Sequence, residues 1–401
     1  QAEITRMYNT YYSPNRVANG NFAQIGNEEV TNGDFSQEGS EQANYSDNNI
    51  FFLNSSDSTT ISLGSNSYRS EAFGNTGDDR PRVTINGSGI VTGKTYKVVY
   101  TPTSFTGSTV FDFFENNTRI INNHDASLPK TFYFVASDTL DAFVFDGSET
   151  FRSDYTLSIK EVGQDWSFGT GWSIENGQAK FEGSTAGYLV QLGNLEVGKT
   201  YKIKADVSQG KAILISAFYD IHGSDEISSE GNIFTVTSGT DLRIYSHPSN
   251  GTTVIDNISV KEVGQHWTFG TGWFTDGTNL LSTDSAQYVS ANQNVAGITL
   301  GKTYKTTINV NSISGDYIIK FGSSGTVHAL SSGLNTINAV WDGSNNGLAI
   351  YNNTSSTGNI SIDYIVIQEL KHDATNLMLN AGDYQSANPL ITSTKSMEFD
   401  G

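Results

Sequence analysis

Apolar and polar residues alternate along Tyr201-Lys202-Ile203-Lys204-Ala205-Asp206-Val207, a period of two that turns one face of an extended segment inward and the other toward water. Tyr304, Thr306, Ile308 and Val310 repeat the alternation further along the chain. The apolar runs Ala212–Phe218 and Tyr317–Phe321 follow these two segments, and clusters of Gly, Asn, Ser and Asp separate the runs. Short strands every 8–12 residues, divided by turn residues, predict antiparallel β-sandwiches. A helical period is weak everywhere; the nearest approach is Ala2 to Tyr12.

The pattern is also copied. Val162-Gly163-Gln164-Asp165-Trp166-Ser167-Phe168-Gly169-Thr170-Gly171-Trp172 returns as Val263-Gly264-Gln265-His266-Trp267-Thr268-Phe269-Gly270-Thr271-Gly272-Trp273, 101 positions later. Gly-Lys-Thr-Tyr-Lys occurs at 93, 198 and 301, and Ile258-Ser259-Val260-Lys261-Glu262-Val263 has counterparts starting at Leu157 and Ile365. A period near 100 residues exceeds solenoid and propeller units and suits a small independent domain. The boundaries expected are an N-terminal arm at 1–30, modules at 31–162, 163–263 and 264–372, and a linker at 373–401. Val30-Thr31-Asn32-Gly33-Asp34-Phe35 opens the first module on this reading, foreshadowed by Val17-Ala18-Asn19-Gly20-Asn21-Phe22. The aromatic Met7–Tyr12 stretch suggests an arm that docks on a neighbouring subunit.

The order of Asn-Gly-Asp-Phe, Trp-x5-Trp, Gly-Lys-Thr-Tyr-Lys and Asp-Asn-Ile-Ser-Val-Lys-Glu-Val over residues 31–372 resembles the jelly-roll carbohydrate-binding modules found beside glycoside hydrolases and their relatives in phage tail and virion proteins. The resemblance implies an all-β chain of tandem jelly-roll sandwiches, often with a structural Ca²⁺ where first and last strands meet. Asp34 and Asp154, and likewise Asp256 and Asp363 ahead of closing strands, are the aspartates that would supply such hard oxygen ligands; the alternative is an Asx-capped turn. The tail from Leu377 to Asp383, followed by Ser396-Met397-Glu398-Phe399-Asp400-Gly401, resembles the lead-in to a laminin-G or concanavalin-like lectin domain.

Charge narrows the partners. With 42 acidic against 23 basic residues and a net charge of −19, clustered cations for phosphate contacts are missing, so nucleic acid is not an expected partner. The chain has no Cys, which removes disulfides and thiolate metal sites. It has no run of 18 apolar residues, so no helical membrane insertion is expected.

Scaffold residues should be the same in every copy, whereas ligand-reading residues should differ between copies. The differing positions are Phe218, Tyr219, His222 and Asp225, then Trp341 and Tyr351, with Phe145 in the first copy; Phe218, Tyr219, His222, Trp341 and Tyr351 are the candidate ligand-binding set. The repeated Trp166, Trp172, Trp267 and Trp273 read as core plugs, as do the tyrosines of Gly-Lys-Thr-Tyr-Lys. Asp220–Glu226 is the richest polar cluster and reads as a hairpin tip rather than a catalytic site, and no nucleophile-elbow, zincin or phosphate-loop pattern occurs. The expected function is a non-enzymatic virion or extracellular surface protein, such as a tail fibre, that attaches to host-surface or other extracellular glycans and assembles with other virion subunits, as a homo-oligomer. A spacer, a capsid or sheath decoration protein, an adhesin, and the accessory region of a secreted polysaccharide hydrolase remain the alternatives.

Overall fold

The structure, a computed structural model, describes residues 12–43, 45, 50–54, 58–73, 80–85, 90–115, 118–136, 141–146 and 150–371. The segments read as a weak helix, as the aromatic part of the arm and as the lectin-like tail lie outside these residues, apart from Tyr12. Strands make up nearly all regular structure, every resolved pairing is antiparallel, and the described residues contain no α-helix. The chain is all-β, built of tandem antiparallel sandwiches of jelly-roll type. Two compact units are present: 28–197 with 201–261, and 1–27 with 198–200 and 262–401.

The first unit encloses two cores. One lies between the sheet Lys130–Val135, Thr95–Thr106, Phe151–Val162, Ser67–Ala72, Ser58–Ser62 and the sheet Ile50–Leu53, Arg82–Ile85, Asp141–Asp146, Val110–Glu115, Thr118–Asp125. Its interior is aromatic: Tyr68, Tyr96, Tyr100, Phe111, Phe113, Phe143, Phe145 and Tyr155 are all buried, with Phe113 and Phe143 centroids 5.0 Å apart. Large rings fill the gap between sheets with few residues, and each buries roughly 150–250 Å². The other core lies between the sheet Trp172–Glu175, Gln178–Phe181, Thr253–Val263, Thr200–Gln209, Asn232–Val236, Tyr219–His222 and the three strands Trp166–Phe168, Gly187–Gln191, Leu242–Ser246. Here the repeated Trp166 and Trp172 are buried beside Tyr201, Ile203 and Phe234.

The second unit encloses one core. Trp273–Thr275, Leu280–Ser285, Gly358–Glu369, Thr303–Ser314 and Gly333–Val340 form one sheet; Thr268–Phe269, Ser290–Asn294, Gly347–Asn352, Tyr317–Phe321 and Val327–Ala329 form the other. Tyr304, Thr306, Ile308 and Val310 all point inward, as their alternation predicts.

Upstream segments complete these cores, and this departs from the boundaries expected from sequence. Val30 and Phe35 do not open the first module; they are buried in the core of Trp166, with the Phe35 and Trp166 rings 5.5 Å apart. Val17 and Phe22 are not part of an external arm; they are buried in the core of Trp267, again with ring centroids 5.5 Å apart. The two seats match bond for bond. Gln191 accepts from Thr31 N at 3.0 Å and donates to Thr31 O at 2.8 Å; Gln293 does the same for Ala18 at 3.0 and 2.9 Å. Ile258 N donates to Gly33 O at 2.9 Å and Ile365 N to Gly20 O at 2.8 Å. A side chain cannot replace either glycine, because a Cβ would stand 2.0 Å from Ile258 O or 2.3 Å from Ile365 O.

The aromatic core of the first unit receives a third such piece, in which Ala43 is buried and Glu41 accepts from Ile159 N at 2.7 Å. Glu28 accepts from Val260 N at 2.6 Å and Asn15 from Ile367 N at 3.0 Å in the same way. Asn15, Glu28 and Glu41 are spaced 13 residues apart, as are Val17, Val30 and Ala43. The leading segments therefore serve the cores in reverse order: the first to appear in the chain completes the last core.

Candidate functional site

The structure scatters the residues singled out from sequence. Trp341 is fully buried and packs 5.1 Å from Phe321 and 5.7 Å from Tyr304, its indole N–H donating to Asn345 O at 2.8 Å. Its expected exposure is corrected by strand parity: Val340 faces solvent, so the next residue turns inward. Phe145 is buried in the aromatic core. Tyr219 is also buried; its hydroxyl donates to Asp241 O and accepts from Arg243 N, both at 2.8 Å, and burial pushes the phenol up to about 12. Phe218 is half-buried under the Arg243 guanidinium at 4.8 Å. His222 is half-buried against the Thr235 hydroxyl at 3.0 Å, and burial lowers its imidazole pKa against the opposing pull of Asp220. Asp225 is exposed, and its carbonyl accepts from Leu214 N at 2.8 Å.

The four aspartates do not converge either. Both Asp154 oxygens take the Arg69 guanidinium, at 2.6 and 2.9 Å, and Arg69 with Arg152 holds that carboxyl down to about 2. A carboxylate already neutralised by arginine does not suit Ca²⁺. Asp34 accepts from Ser36, Asp256 from Gln178 at 3.2 Å, and Asp363 from Asn309 at 3.1 Å. Among the described residues no group of three or more His, Cys, Asp or Glu could hold a metal.

Tyr351 lies elsewhere, on the outward face of the sheet Thr268–Phe269, Ser290–Asn294, Gly347–Asn352, Tyr317–Phe321, Val327–Ala329. On Ser290–Asn294 the inward residues are Ala291 and Gln293, which leaves Ser290, Asn292 and Asn294 outward; on Gly347–Asn352, Leu348 and Ile350 point inward and Gly347, Ala349 and Tyr351 outward. Register sets Thr268 opposite Asn292, Asn292 opposite Ala349 and Ala349 opposite Lys320, a row across four strands that is polar except at Ala349. These residues line a cleft of about 830 Å³. Its floor is low at Gly347 and Ala349. Its wall is the Tyr351 ring with Tyr288, 5.9 Å away at 64°.

Tyr288 is 64% exposed. It is held by its own N–H donating to Asn352 O at 2.9 Å and sits at φ 64°, a left-handed conformation that is uncommon for a bulky residue and marks a constrained position. Burial and the neighbouring Tyr288 together raise the Tyr351 phenol pKa. The lining contains no Asp or Glu, so the cleft has no carboxylate pair of the kind used in glycoside hydrolysis.

The second core presents a related face. Gln191 opposes Leu242 as Gln293 opposes Leu348, and counting back from those pairs places Tyr245 where Tyr351 stands. Tyr188 faces Tyr245 across the strands at 5.4 Å and 59°. In the first unit's aromatic-core sandwich, Asp112 on the neighbouring strand Val110–Glu115 meets Arg119 at 3.2 Å. Comparison between copies selected Tyr351 but missed Tyr288, Asn292, Ala349 and Lys320. Polarity did not mark them: Ser290–Asn294 has a polar residue, Gln293, on its inward face, and Tyr288, Ala349 and Lys320 lie outside that stretch.

No protein-family model matches the chain, and no curated protein matches it. Among solved structures it is similar to the N-terminal CBM22-1-CBM22-2 tandem domain of Paenibacillus barcinonensis Xyn10C, at 11% identity and TM-score 0.21 over 52% of this chain and 94% of that one. It is also similar to a chain of an archaeal virus described for its triple jelly-roll fold and turret assembly, at 12% identity and TM-score 0.21 over 79% of this chain and 90% of that one. A chain of Sulfolobus Turreted Icosahedral Virus matches at 12% identity and TM-score 0.19, with the same coverage. The fold stated above rests on the sheets of this chain and not on likenesses of this size.

Proposed function

We propose that the chain is a non-enzymatic glycan-binding structural protein of a virion or other extracellular surface, and that the Tyr351–Tyr288 cleft holds the sugar. The carrying observation is an aromatic pair, Tyr288 exposed and Tyr351 half-buried, over a small-residue floor, beside a row of Thr268, Asn292 and Lys320. A tyrosine ring offers a flat apolar face to pyranose C–H groups, while amide, hydroxyl and ammonium groups satisfy ring hydroxyls. Two aromatic pairs in one chain, multiplied by copies of the chain as a homo-oligomer among other virion subunits, turn weak single-site binding into useful avidity. Attachment to host-surface glycans, as by a tail fibre, is the specific role proposed.

Glycan-array screening followed by calorimetry tests the reading. Tyr351→Ala and Tyr288→Ala should each weaken binding about tenfold or more, the loss of one good contact, with little change in melting temperature. A wild-type chain that binds no glycan overturns the proposal in favour of a spacer or decoration protein.

A further inference from the structure

We propose that the Tyr351–Tyr288 cleft takes an acidic glycan, one whose pyranose units carry a carboxylate or a sulfate; this rests on the glycan-binding reading above and names the class of sugar. The chain carries 42 Asp and Glu residues, yet none of them lines the cleft. Lys320 does line it, flanked across the strands by the uncharged Ala349 and Val327, and among the described residues no ion pair engages it. Two amides of the lining have their acceptor sides consumed within the protein. Asn345 Oδ1 accepts from Ser323 N and Gly347 N, both at 3.0 Å, and Asn292 Oδ1 accepts from the Ser290 hydroxyl at 3.1 Å. Each amide therefore keeps its N–H2 group for a ligand. A neutral sugar presents hydroxyls that need acceptors as well as donors, whereas a carboxylate or sulfate uses donors alone and gains most from a charged one. Asn294 and the tyrosine hydroxyls remain for the sugar's own hydroxyls.

Register places the charge beside the ring. Lys320 lies opposite Ala349, two residues before Tyr351 on the same outward face, a diagonal separation of roughly 7–8 Å between backbones. One pyranose can thus lay its apolar C–H face on the tyrosine and turn its acidic substituent to the ammonium. Comparison with the second copy shows the arrangement to be particular to this sandwich. His266 lines the cleft at φ 73°, in the position that Asp165 takes at φ 72°, so the acid that the repeat would bring here is replaced. On the related face of the second core Arg243 stands where Ala349 does, and Asp241 holds its guanidinium at 2.7 Å. A cation neutralised within the protein has little left for a ligand anion, so the Tyr188–Tyr245 face should not share the preference.

The test is a ratio of affinities, read by calorimetry on the full chain at low salt. The probes are oligomers of glucuronate, galacturonate and mannuronate, each paired with its carboxyl-reduced neutral counterpart, and sulfated galactan oligomers paired with unsulfated ones. At least one acidic oligomer should bind about tenfold tighter than its neutral partner, the gain from one charge-assisted contact; the pairs that show the preference tell carboxylate from sulfate. Lys320→Gln should bring that ratio close to one, and Lys320→Arg should keep it. Asn345→Asp retains the oxygen that Ser323 N and Gly347 N need but puts an anion where the N–H2 group stood, and it should abolish the preference as well. Neutral oligomers bound as tightly as every acidic one overturn the proposal while leaving the glycan-binding reading intact; binding of no glycan removes both. A preference that survives Lys320→Gln also overturns it, and should that variant fail to fold, survival in Asn345→Asp does so.

Discussion

Single residues show how one strand step separates a core side chain from a binding one. Tyr351 and Trp341 are both read from the sequence as aromatics that differ between copies, a reading the register corrects for Tyr351, since Tyr245 stands at its position in the second core. Tyr351 follows the inward Ile350 and faces out, whereas Trp341 follows the outward Val340 and faces in. Trp341→Ala should therefore act on stability, costing about 3–5 kcal/mol as a large buried ring is lost, measured by urea unfolding. Charge at Asp154 is legible only once Arg69 is seen beside it. The carboxyl has a folded pKa of about 2 against 3.8 for its ordinary value. Its contribution is thus present above roughly pH 4 and lost as pH falls toward 2. Because the pair is partly solvated, Asp154→Asn should cost only about 1 kcal/mol at neutral pH, and the variant's stability should fall less steeply than wild type between pH 4 and pH 2 in an acid titration.

Elements were legible where alternation was unbroken. Tyr201, Ile203 and Ala205 face the core as their spacing predicts. Ala212–Phe218, read as a strand, is not one: only Ile213 bridges to Tyr245 and Glu226, and the chain then turns as Phe218 N and Tyr219 N both donate to Ile215 O. Local apolarity could not reveal that turn, since burial of Ala212 and Leu214 needs no regular ladder. Nor could the pattern reveal the clamps that fasten the leading segments. Gln191 and Gln293 are buried amides whose partners lie 160 and 275 residues upstream. Replacing Gln293 by Ala leaves the N–H and C=O of Ala18 without that partner, and should destabilise by about 1–3 kcal/mol. Differential scanning calorimetry should place the change in the 262–371 transition alone, with Gln191→Ala acting instead on the 28–261 unit.

At the scale of the whole molecule, three separate hydrophobic cores explain why the repeat is near 100 residues: each sandwich buries its own interior and borrows only one short segment. Trp341→Ala should accordingly shift one calorimetric transition and leave the unit of residues 28–261 unmoved, a behaviour that a single continuous core would not give. The sequence by itself determined the all-β class, the tandem copies, the core tryptophans and the inward face of the long strands, because these follow from short-range period and from repetition. The tertiary structure alone decided which core each leading segment enters, which tyrosines stand over a cleft and which aspartates meet arginine. Those outcomes depend on contacts between residues far apart in the chain, 85 positions for Arg69 and Asp154 and 275 for Ala18 and Gln293, and a local pattern of polarity carries no record of which distant surface will meet it.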